Sequence, residues 1–325
     1  MTTAPTTRTK GWQAAERDAD VTVLLPGDLP IFFRRIPAAP QGFLMGSRHG
    51  DDNEEPAHRV VMPSDFWIAT FPLTQAQWRS VVKEFKEFKA LNAPPALGTQ
   101  PSLNPSPSTF TEDGDDRPVE TVSWADAVAW CEALGTLKVR GHDASGTDFA
   151  AVEFRLPNEA EWEYACRAGT ETEYSLGEGS GDGEAALREV GWFEGNAKGA
   201  THPVGELAAN GFGLYDMHGN VYEWCADVWD AKAYRKRGDG WAGRAWELAD
   251  AGADAEFQDD ADRSRGAAFR VFRGGSWIDS AWYCRSSYRY GDWPDYRGRI
   301  LGSERGFRVC LVRGPSELAS MPAEA

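Results

Sequence analysis

The sequence contains few cysteines and no long apolar run. Its 325 residues include five cysteines, at positions 131, 166, 225, 284 and 310, and no two of them form a Cys-x-x-Cys pair. A sparse, odd-numbered set argues against a disulfide framework and against a zinc ribbon. The polar start of the chain has no apolar signal core, and nowhere do about 18 apolar residues follow one another. We therefore expect no membrane insertion and a cytoplasmic location.

Histidine and positive charge are also scarce. The five histidines include no His-x-x-x-His pair, and the net charge of the chain is −16. Scattered histidines are typical of satisfied core or surface positions. A chain of this charge is repelled by the phosphate backbone of nucleic acids. The sequence therefore predicts no nucleic-acid partner.

Glycine, proline and tryptophan, by contrast, are abundant. The chain holds 34 Gly, 19 Pro and 14 Trp, which favours a loop-rich fold held by large aromatic side chains over a helical bundle. Three helices are predicted, and they begin near Thr74, Ser123 and Asn158, where N-cap residues precede apolar positions. Short β-type runs surround these helices. The predicted fold class is therefore α+β, with little regular secondary structure and long loops.

The sequence divides into a leader, one domain and a tail. Residues 1–20 are expected to be a disordered leader, and residues 314–325 a disordered tail. Residues 21–313 are expected to form a single domain. Within it, the charged, Ala/Asp-rich segment 231–265 is interpreted as an insertion.

Arginine and aromatic residues concentrate near the end of the domain. Residues 263–313 contain 11 Arg, no Lys and four acids, a local charge of +7. Seven aromatic residues lie between Trp277 and Tyr296 without the period of a strand or a helix. Such a composition is typical of a contact surface. We also expect at least half of the arginines to pair with acids of the scaffold.

Seven motifs resemble the formylglycine-generating-enzyme/sulfatase-modifying-factor superfamily and occur in its order. They are Gly42–Ser47, Pro72–Thr74 with Trp78, Pro118–Trp124, Arg155–Ala165, Gly213–Trp224, Arg273–Trp277 and Gly306–Val309. The resemblance covers roughly residues 40–313. It implies a variant of the C-type-lectin fold, often with bound calcium.

The oxidases of this superfamily carry two cysteines after their Gly-Gly-Ser motif, and these cysteines bind copper(I). Here Asp279 stands at the first cysteine position, and Cys284 is the candidate for the second. A linear copper(I) site needs two soft thiolates. We therefore expect no copper and no catalytic residue, and we interpret Cys284 as a small buried hydrophobe.

The same region is similar to the variable region of proteins diversified by diversity-generating retroelements. In that group a fixed skeleton of Trp, Arg, Pro and Gly alternates with positions that are Asn in the template and change by adenine-directed mutagenesis. Most of the intervening residues here can be reached from an Asn codon, although Trp293 cannot if the third base is a pyrimidine. These candidate ligand-binding residues are Asp279, Ser280, Ala281, Tyr283, Ser287, Tyr290, Gly291, Asp292, Trp293, Tyr296, Gly298, Arg299, Ile300 and Leu301.

From this resemblance we predict a non-enzymatic protein that displays residues 278–301 as a diversified surface. Its ligand is expected to be a protein or another macromolecule of unknown identity. Two alternatives stay open. One is an enzyme related to the formylglycine-generating oxidases, and the other is a non-catalytic family member with one fixed partner.

Gly219–Trp224 resembles a calcium loop of the superfamily. Asn220 and Glu223 carry the oxygen donors that calcium prefers, which makes a structural calcium site one interpretation. The alternative is that Asn220 closes a turn and that Glu223 pairs with an arginine such as Arg308. Glu159 and Glu163 share one helix face, and we expect that face to be solvated or paired with arginines rather than catalytic.

Overall fold

The computed structural model describes residues 8–92, 103–112, 115–149, 152–176, 183–245, 247–257, 260–297 and 304–313. About 28% of the chain is helical and about 24% is in strands. The helices are α1 (Lys10–Asp18), α2 (Gln75–Asn92), α3 (Trp124–Leu137), α4 (Glu159–Arg167), α5 (Gly183–Val190), α6 (Ala233–Arg237), α7 (Leu248–Ala251) and α8 (Asp260–Arg265). Short 3-10 turns cover Asp52–Glu54, Gly252–Asp254 and Ala281–Cys284.

The strands are short and numerous. They are β1 (Val21–Leu25), β2 (Leu29–Ile36), β3 (Ala39–Met45), β4 (His58–Met62), β5 (Phe66–Ala69), β6 (Arg140–Asp143), β7 (Asp148–Phe149), β8 (Val152–Arg155), β9 (Gly191–Trp192), β10 (His218–Gly219), β11 (Tyr222–Val228), β12 (Arg270–Arg273), β13 (Arg289–Asp292), β14 (Arg305–Gly306) and β15 (Cys310–Arg313). Helices and strands are mixed along the chain, so the predicted α+β class is confirmed.

The three predicted helices, now α2, α3 and α4, each begin directly after the predicted cap residue. The hydroxyl oxygen of Ser123 accepts from the amide of Asp126 at 3.1 Å, and the Asp126 carboxylate accepts from the Ser123 amide at 3.0 Å. Asn158 and Glu161 make the same reciprocal pair at the start of α4. At α2, Thr74 caps the amide of Gln77. Each such cap stabilises a helix by about 1 kcal/mol, because it satisfies an amide that has no partner within the helix.

A seven-stranded antiparallel sheet joins the two ends of the domain. Its strand order is β7-β6-β1-β2-β5-β15-β8, so the last strand lies between β5 and β8. Helices α2 and α3 pack against this sheet, and Trp78, Trp130 and Phe307 are buried between them. The motif Gly306–Val309 thereby reaches the centre of the molecule.

A second sheet of four strands carries the region that was predicted to be functional. Its order is β13-β12-β11-β14, with β11 and β14 parallel and the other neighbours antiparallel. The sequence of residues 277–296 showed no strand period, so the strand β13 was not predicted. Gly274 and Gly275, at φ 99° and 72°, turn the chain away at the end of β12. A side chain at Gly275 would overlap Cys284, so this turn requires glycine.

The leader differs from its prediction. Residues 10–18 form helix α1, whose first turn is capped by Thr9. Trp12 is buried against Phe32 and stacks on Phe71 at 5.7 Å between ring centroids. The expected disorder is therefore wrong for residues 8–20, because one large aromatic residue anchors them. Residues 1–7 and the predicted tail 314–325 lie outside the described residues.

The segment 231–265 packs into the body of the domain. It contains α6, α7 and α8, and the amide of Val61 donates to the carbonyl of Trp241 at 2.7 Å. Tyr234 and Arg237 are buried. Among the described residues, no helix is both long and apolar enough to cross a bilayer.

Candidate ligand-binding groove

The four-stranded sheet separates two sets of side chains onto its two faces. Phe272 lies opposite Tyr290, and Tyr222 lies opposite Arg305. Because successive residues of a strand point to opposite faces, the neighbours Glu223, Arg273 and Arg289 lie on the other side. The first face lines an open groove, and the second face lies in the interior.

The groove has a volume of about 770 Å³ and is rich in tyrosine. Its lining residues are Tyr222, Phe272, Ile278, Asp279, Tyr283, Tyr288, Tyr290, Asp292, Tyr296, Glu304 and Arg305. Tyr290 is 50% exposed, Ile278 43% and Tyr283 39%, so these three form the outer part. Tyr222, Phe272 and Tyr288 are buried and form the floor.

The floor of the groove is fixed by ring contacts. Tyr222 meets Phe272 edge-on at 4.8 Å, and Phe272 lies 5.8 Å from Tyr290. Tyr283 meets Tyr288 edge-on at 5.0 Å. Contacts of this kind stabilise beyond the area they bury. The floor rings therefore pack against one another and against the inner edges of the outer tyrosines, which also contact solvent.

Asp279 is the titratable group that stands out in this groove. The hydroxyl of Ser276 donates to its carboxylate. Burial raises the pKa of Asp279 to about 6, and the nearby carboxylate of Glu304 also raises it, against that hydrogen bond. At neutral pH the carboxylate is therefore ionised in a partly desolvated position.

Behind the sheet lies a buried cluster of arginines and acids. Glu159 accepts from Arg289 at 2.5 Å and from Arg237 at 3.0 Å, and Glu163 pairs with Arg273. Burial alone would raise the pKa of Glu159, but the arginines outweigh burial and hold it at about 2. The expectation of an arginine-paired helix face is confirmed for Glu159 and Glu163.

Most arginines of the predicted contact region pair with acids. Of these eleven arginines, six form ion pairs with acids within the described part of the chain, namely Arg273, Arg285, Arg289, Arg297, Arg305 and Arg308. Arg285 pairs with Glu54 at 2.7 Å, and both side chains are buried. The expected pairing of at least half of the arginines is confirmed. The groove is thus lined mainly by tyrosines and acids, and Arg305 is the basic residue among its described lining residues.

The structure brings five of the candidate ligand-binding residues together in the groove. These are Asp279, Tyr283, Tyr290, Asp292 and Tyr296. Ser280, Ala281 and Trp293 are partly exposed beside it. Gly298, Arg299, Ile300 and Leu301 lie outside the described residues.

Two candidates do not belong to the surface. Ser287 is 4% exposed and accepts from Arg285 at 3.2 Å. Gly291 is buried against Trp229, and a side chain at this position would overlap the indole ring. Gly291 follows Tyr290 in strand β13, so it faces the interior, where Arg289 also lies. Both residues were predicted to be surface positions, and for both the prediction is wrong.

Six lining residues were missing from the candidate set. Ile278 and Tyr288 lie beside candidates, and the aromatic density of the stretch was a signal for Tyr288. Tyr222 and Phe272 lie on β11 and β12, and Glu304 and Arg305 lie at β14. The parallel pairing of β11 with β14 joins residues about 80 positions apart. No local pattern in the sequence indicates that pairing.

Asn220 and Glu223 do not fit a calcium site. Asn220 adopts a left-handed turn conformation at φ 62°, and its side chain bonds the backbone of His202. Both carboxylate oxygens of Glu223 accept from Arg308, at 2.6 and 2.7 Å, and one also accepts from Trp162. The oxygens that a cation needs are therefore committed to protein donors. No group of three or more metal-binding side chains occurs among the described residues.

Asp279 and Cys284, the residues at the two copper-binding positions, do not fit a copper(I) site either. Asp279 offers oxygen where a soft thiolate is required. Cys284 is fully buried beside Gly275, and burial raises the pKa of its thiol well above the usual value. Its interpretation as a buried hydrophobe is confirmed, since it packs with Tyr174 and Phe193.

The fold and the groove define a C-type-lectin-like protein of the formylglycine-generating-enzyme type. A family model described as sulfatase-modifying factor enzyme 1-like domain matches residues 37–312, and the chain belongs to this family.

Relatives of the chain include a protein named as a chaperone and one named as an enzyme. The chain is 26% identical over 287 residues to chaperone protein LppX of Paenibacillus barcinonensis, covering 77% of this chain and 81% of the relative. It is 31% identical over 209 residues to the formylglycine-generating enzyme of Mycobacterium tuberculosis, covering 56% and 70%. Among solved structures, Treponema denticola variable protein 1 matches with a TM-score of 0.60 and 26% identity, over 90% of this chain and 99% of that chain. The resemblance to a variable protein is confirmed by this match.

Proposed function

We propose that the protein is a non-enzymatic binding protein whose groove recognises a macromolecular ligand. The observation that carries the proposal is the division of the four-stranded sheet into two faces. One face presents tyrosines and acids in an open groove, and the other binds the arginine skeleton inside the domain. Groove residues other than Asp292, which pairs with Arg305, can therefore change without disturbing the ion pairs of the interior face.

The composition of the groove suits binding. Tyr283 and Tyr290 present large, partly apolar rings with a polar tip, and each has few torsions to immobilise. The buried rings of Phe272 and Tyr222 pack beneath them, which limits the number of side chains that must be ordered on binding. The structural match to a variable protein supports the same function.

The enzymatic alternative lacks one of the two thiolates that a copper(I) site needs. Asp279 cannot replace a copper-bound cysteine, and the Cys284 thiol is buried. The second alternative is one fixed partner. It differs from the proposal in one respect, which is whether the residues that line the groove change between copies of the gene.

Sequencing the gene and its flanking DNA in several isolates distinguishes the two. The proposal predicts a near-copy repeat and a reverse-transcriptase gene nearby. It also predicts substitutions at surface positions such as Asp279, Tyr283 and Tyr290, and none at Gly291 or Arg289. An isolated gene with invariant groove residues would refute diversification and leave a fixed partner. Oxygen consumption with a cysteine peptide that Cys284→Ala abolishes would establish the enzyme.

A further inference from the structure

We propose that the groove selects a cationic group, an ammonium or guanidinium presented by its ligand. This inference rests on the proposed function, because it assigns a chemistry to the same groove. It depends on the aromatic walls, on the acids between them and on the arginine already held by the rings.

The rings of the groove already hold one cation. The guanidinium carbon of Arg305 lies 4.2 Å from the ring centroid of Phe272 and 4.5 Å from that of Tyr296. Ring faces attract cations through their quadrupole, most strongly where water is excluded. The outer rings of Tyr283 and Tyr290 offer the same chemistry to an incoming group.

The charges of the groove also favour a cation. Arg305 is compensated by Asp292, at 3.3 Å between Nη2 and Oδ2. Within the described residues, no arginine or lysine forms an ion pair with Asp279 or Glu304. An anionic ligand would therefore meet two carboxylates whose charge is not neutralised, while a cation would neutralise them.

Arg305 itself is not available to an anion. Its Nε and Nη1 atoms are buried and have no hydrogen-bond acceptor among the residues that the structure describes. The side chain is 8% exposed and lies between the rings of Phe272 and Tyr296. An anion could reach these atoms only by displacing the rings, so Arg305 acts as part of the floor.

Cation binding at this position is linked to pH through Asp279. The other titratable groups that face it are Glu304, Tyr222, Tyr288 and Cys284. Burial raises the pKa of the two tyrosines and of the thiol, so these groups stay neutral between pH 5 and pH 8. With the pKa of Asp279 raised to about 6, its charge is lost as pH falls through that value.

The test measures the binding of small model compounds to the full chain by NMR titration. The cationic probe is N-acetyl-lysine N-methylamide, and the arginine analogue is the second cation. The Nε-acetylated lysine compound is the neutral probe, and the glutamate analogue is the anion. We expect the cations to bind with dissociation constants on the order of 1 mM and the others about tenfold more weakly. Asp279→Asn and Glu304→Gln should each weaken cation binding about fivefold.

The control is Asp295→Asn, which removes an exposed acid outside the groove lining. It should leave binding unchanged. In the wild-type protein the affinity for cations should fall between pH 7 and pH 5, and Asp279→Asn should remove the part of the fall due to that carboxyl. If Asp279 had only a structural role, the Asp279→Asn variant would show the same fall in cation affinity between pH 7 and pH 5 as the wild-type protein.

Two results would overturn the inference. If neutral or anionic probes bind as tightly as the cations and Tyr290→Ala weakens all of them, the groove binds ligands without charge selection, and the proposed function stands. If no cation binds at about 50 mM, far above the expected dissociation constant, cation selection is wrong. Sequencing of isolates then still tests the proposed function independently.

Discussion

Replacing Asp279 by asparagine is expected to stabilise the protein at neutral and alkaline pH. Burial, together with the carboxylate of Glu304, raises the pKa of Asp279 to about 6 from an ordinary value of 3.8. Asparagine has almost the same shape and can still accept from Ser276, which donates to the carboxylate. The substitution therefore removes a charge that the surroundings disfavour and leaves the packing intact.

The magnitude follows from the raised pKa. A carboxyl whose pKa is higher in the folded state binds its proton more tightly there. Its contribution to the free energy of unfolding therefore decreases as pH rises from about 4 to about 6, and the loss is complete above that range. Raising the pKa from 3.8 to about 6 corresponds to about 3 kcal/mol, because each tenfold change in proton affinity is worth about 1.36 kcal/mol. This is an upper value for Asp279→Asn, because the amide must also be solvated or bonded.

The assay is chemical denaturation of the wild-type protein and the variant at pH 8 and at pH 4. The variant should be more stable at pH 8 by about 1 to 3 kcal/mol and no more stable at pH 4. Asp216 is another buried carboxyl, and burial raises its pKa to about 6 as well. It titrates in both proteins, so its contribution cancels in the difference between their free energies of unfolding. Asp295→Asn, at an exposed site, should change stability by less than about 0.5 kcal/mol at either pH. A variant that is equally stable or less stable at pH 8 would contradict the reasoning.

Three further predictions concern the scaffold and the groove. Glu159→Gln should lower the free energy of unfolding by about 3 to 5 kcal/mol in urea denaturation, because it leaves buried arginines uncompensated. Tyr290→Ala, at a half-exposed position, should lower it by less than about 1 kcal/mol. Equal losses for the two variants would contradict the division of the sheet into two faces. The five thiols are all buried and should react with a thiol reagent only after unfolding, so rapid reaction of the native protein would argue against a buried Cys284. A calcium chelator should leave the melting temperature unchanged because Glu223 is bound to Arg308, whereas a chelator-induced decrease would establish a calcium site elsewhere.

The sequence predicted the parts of the structure that depend on local patterns. Ser123 and Asn158 begin their helices because a side-chain oxygen and an acid three residues later satisfy the first amides. Cap signals of this kind act over a few residues, so they can be recognised without any long-range information. The family motifs predicted the fold for a different reason, which is their order along the chain.

The arrangement of the groove was not predictable in this way. The pairing of β13 with β12 decides which residues of β13 point to each face of the sheet. As a result Tyr290 faces the groove, while Gly291 faces Trp229. A shift of one residue would exchange the two faces. Helix α1 was missed for a related reason, since its position depends on Trp12 packing against Phe32 and Phe71 far along the chain.

The central claim is that a fixed, buried scaffold carries a groove whose residues can be exchanged to bind different ligands. The most direct measurement is a display library in which seven partly exposed candidates vary, namely Asp279, Ser280, Ala281, Tyr283, Tyr290, Trp293 and Tyr296, while the buried arginines and Asp292, the partner of Arg305, stay fixed. A matched library varies the same number of exposed residues on helices α2 and α5. The account predicts that most groove variants fold, as judged by protease resistance, and that sorting against unrelated proteins yields specific binders from this library. Widespread unfolding of the groove variants, or binders that arise equally often from the matched library, would contradict it.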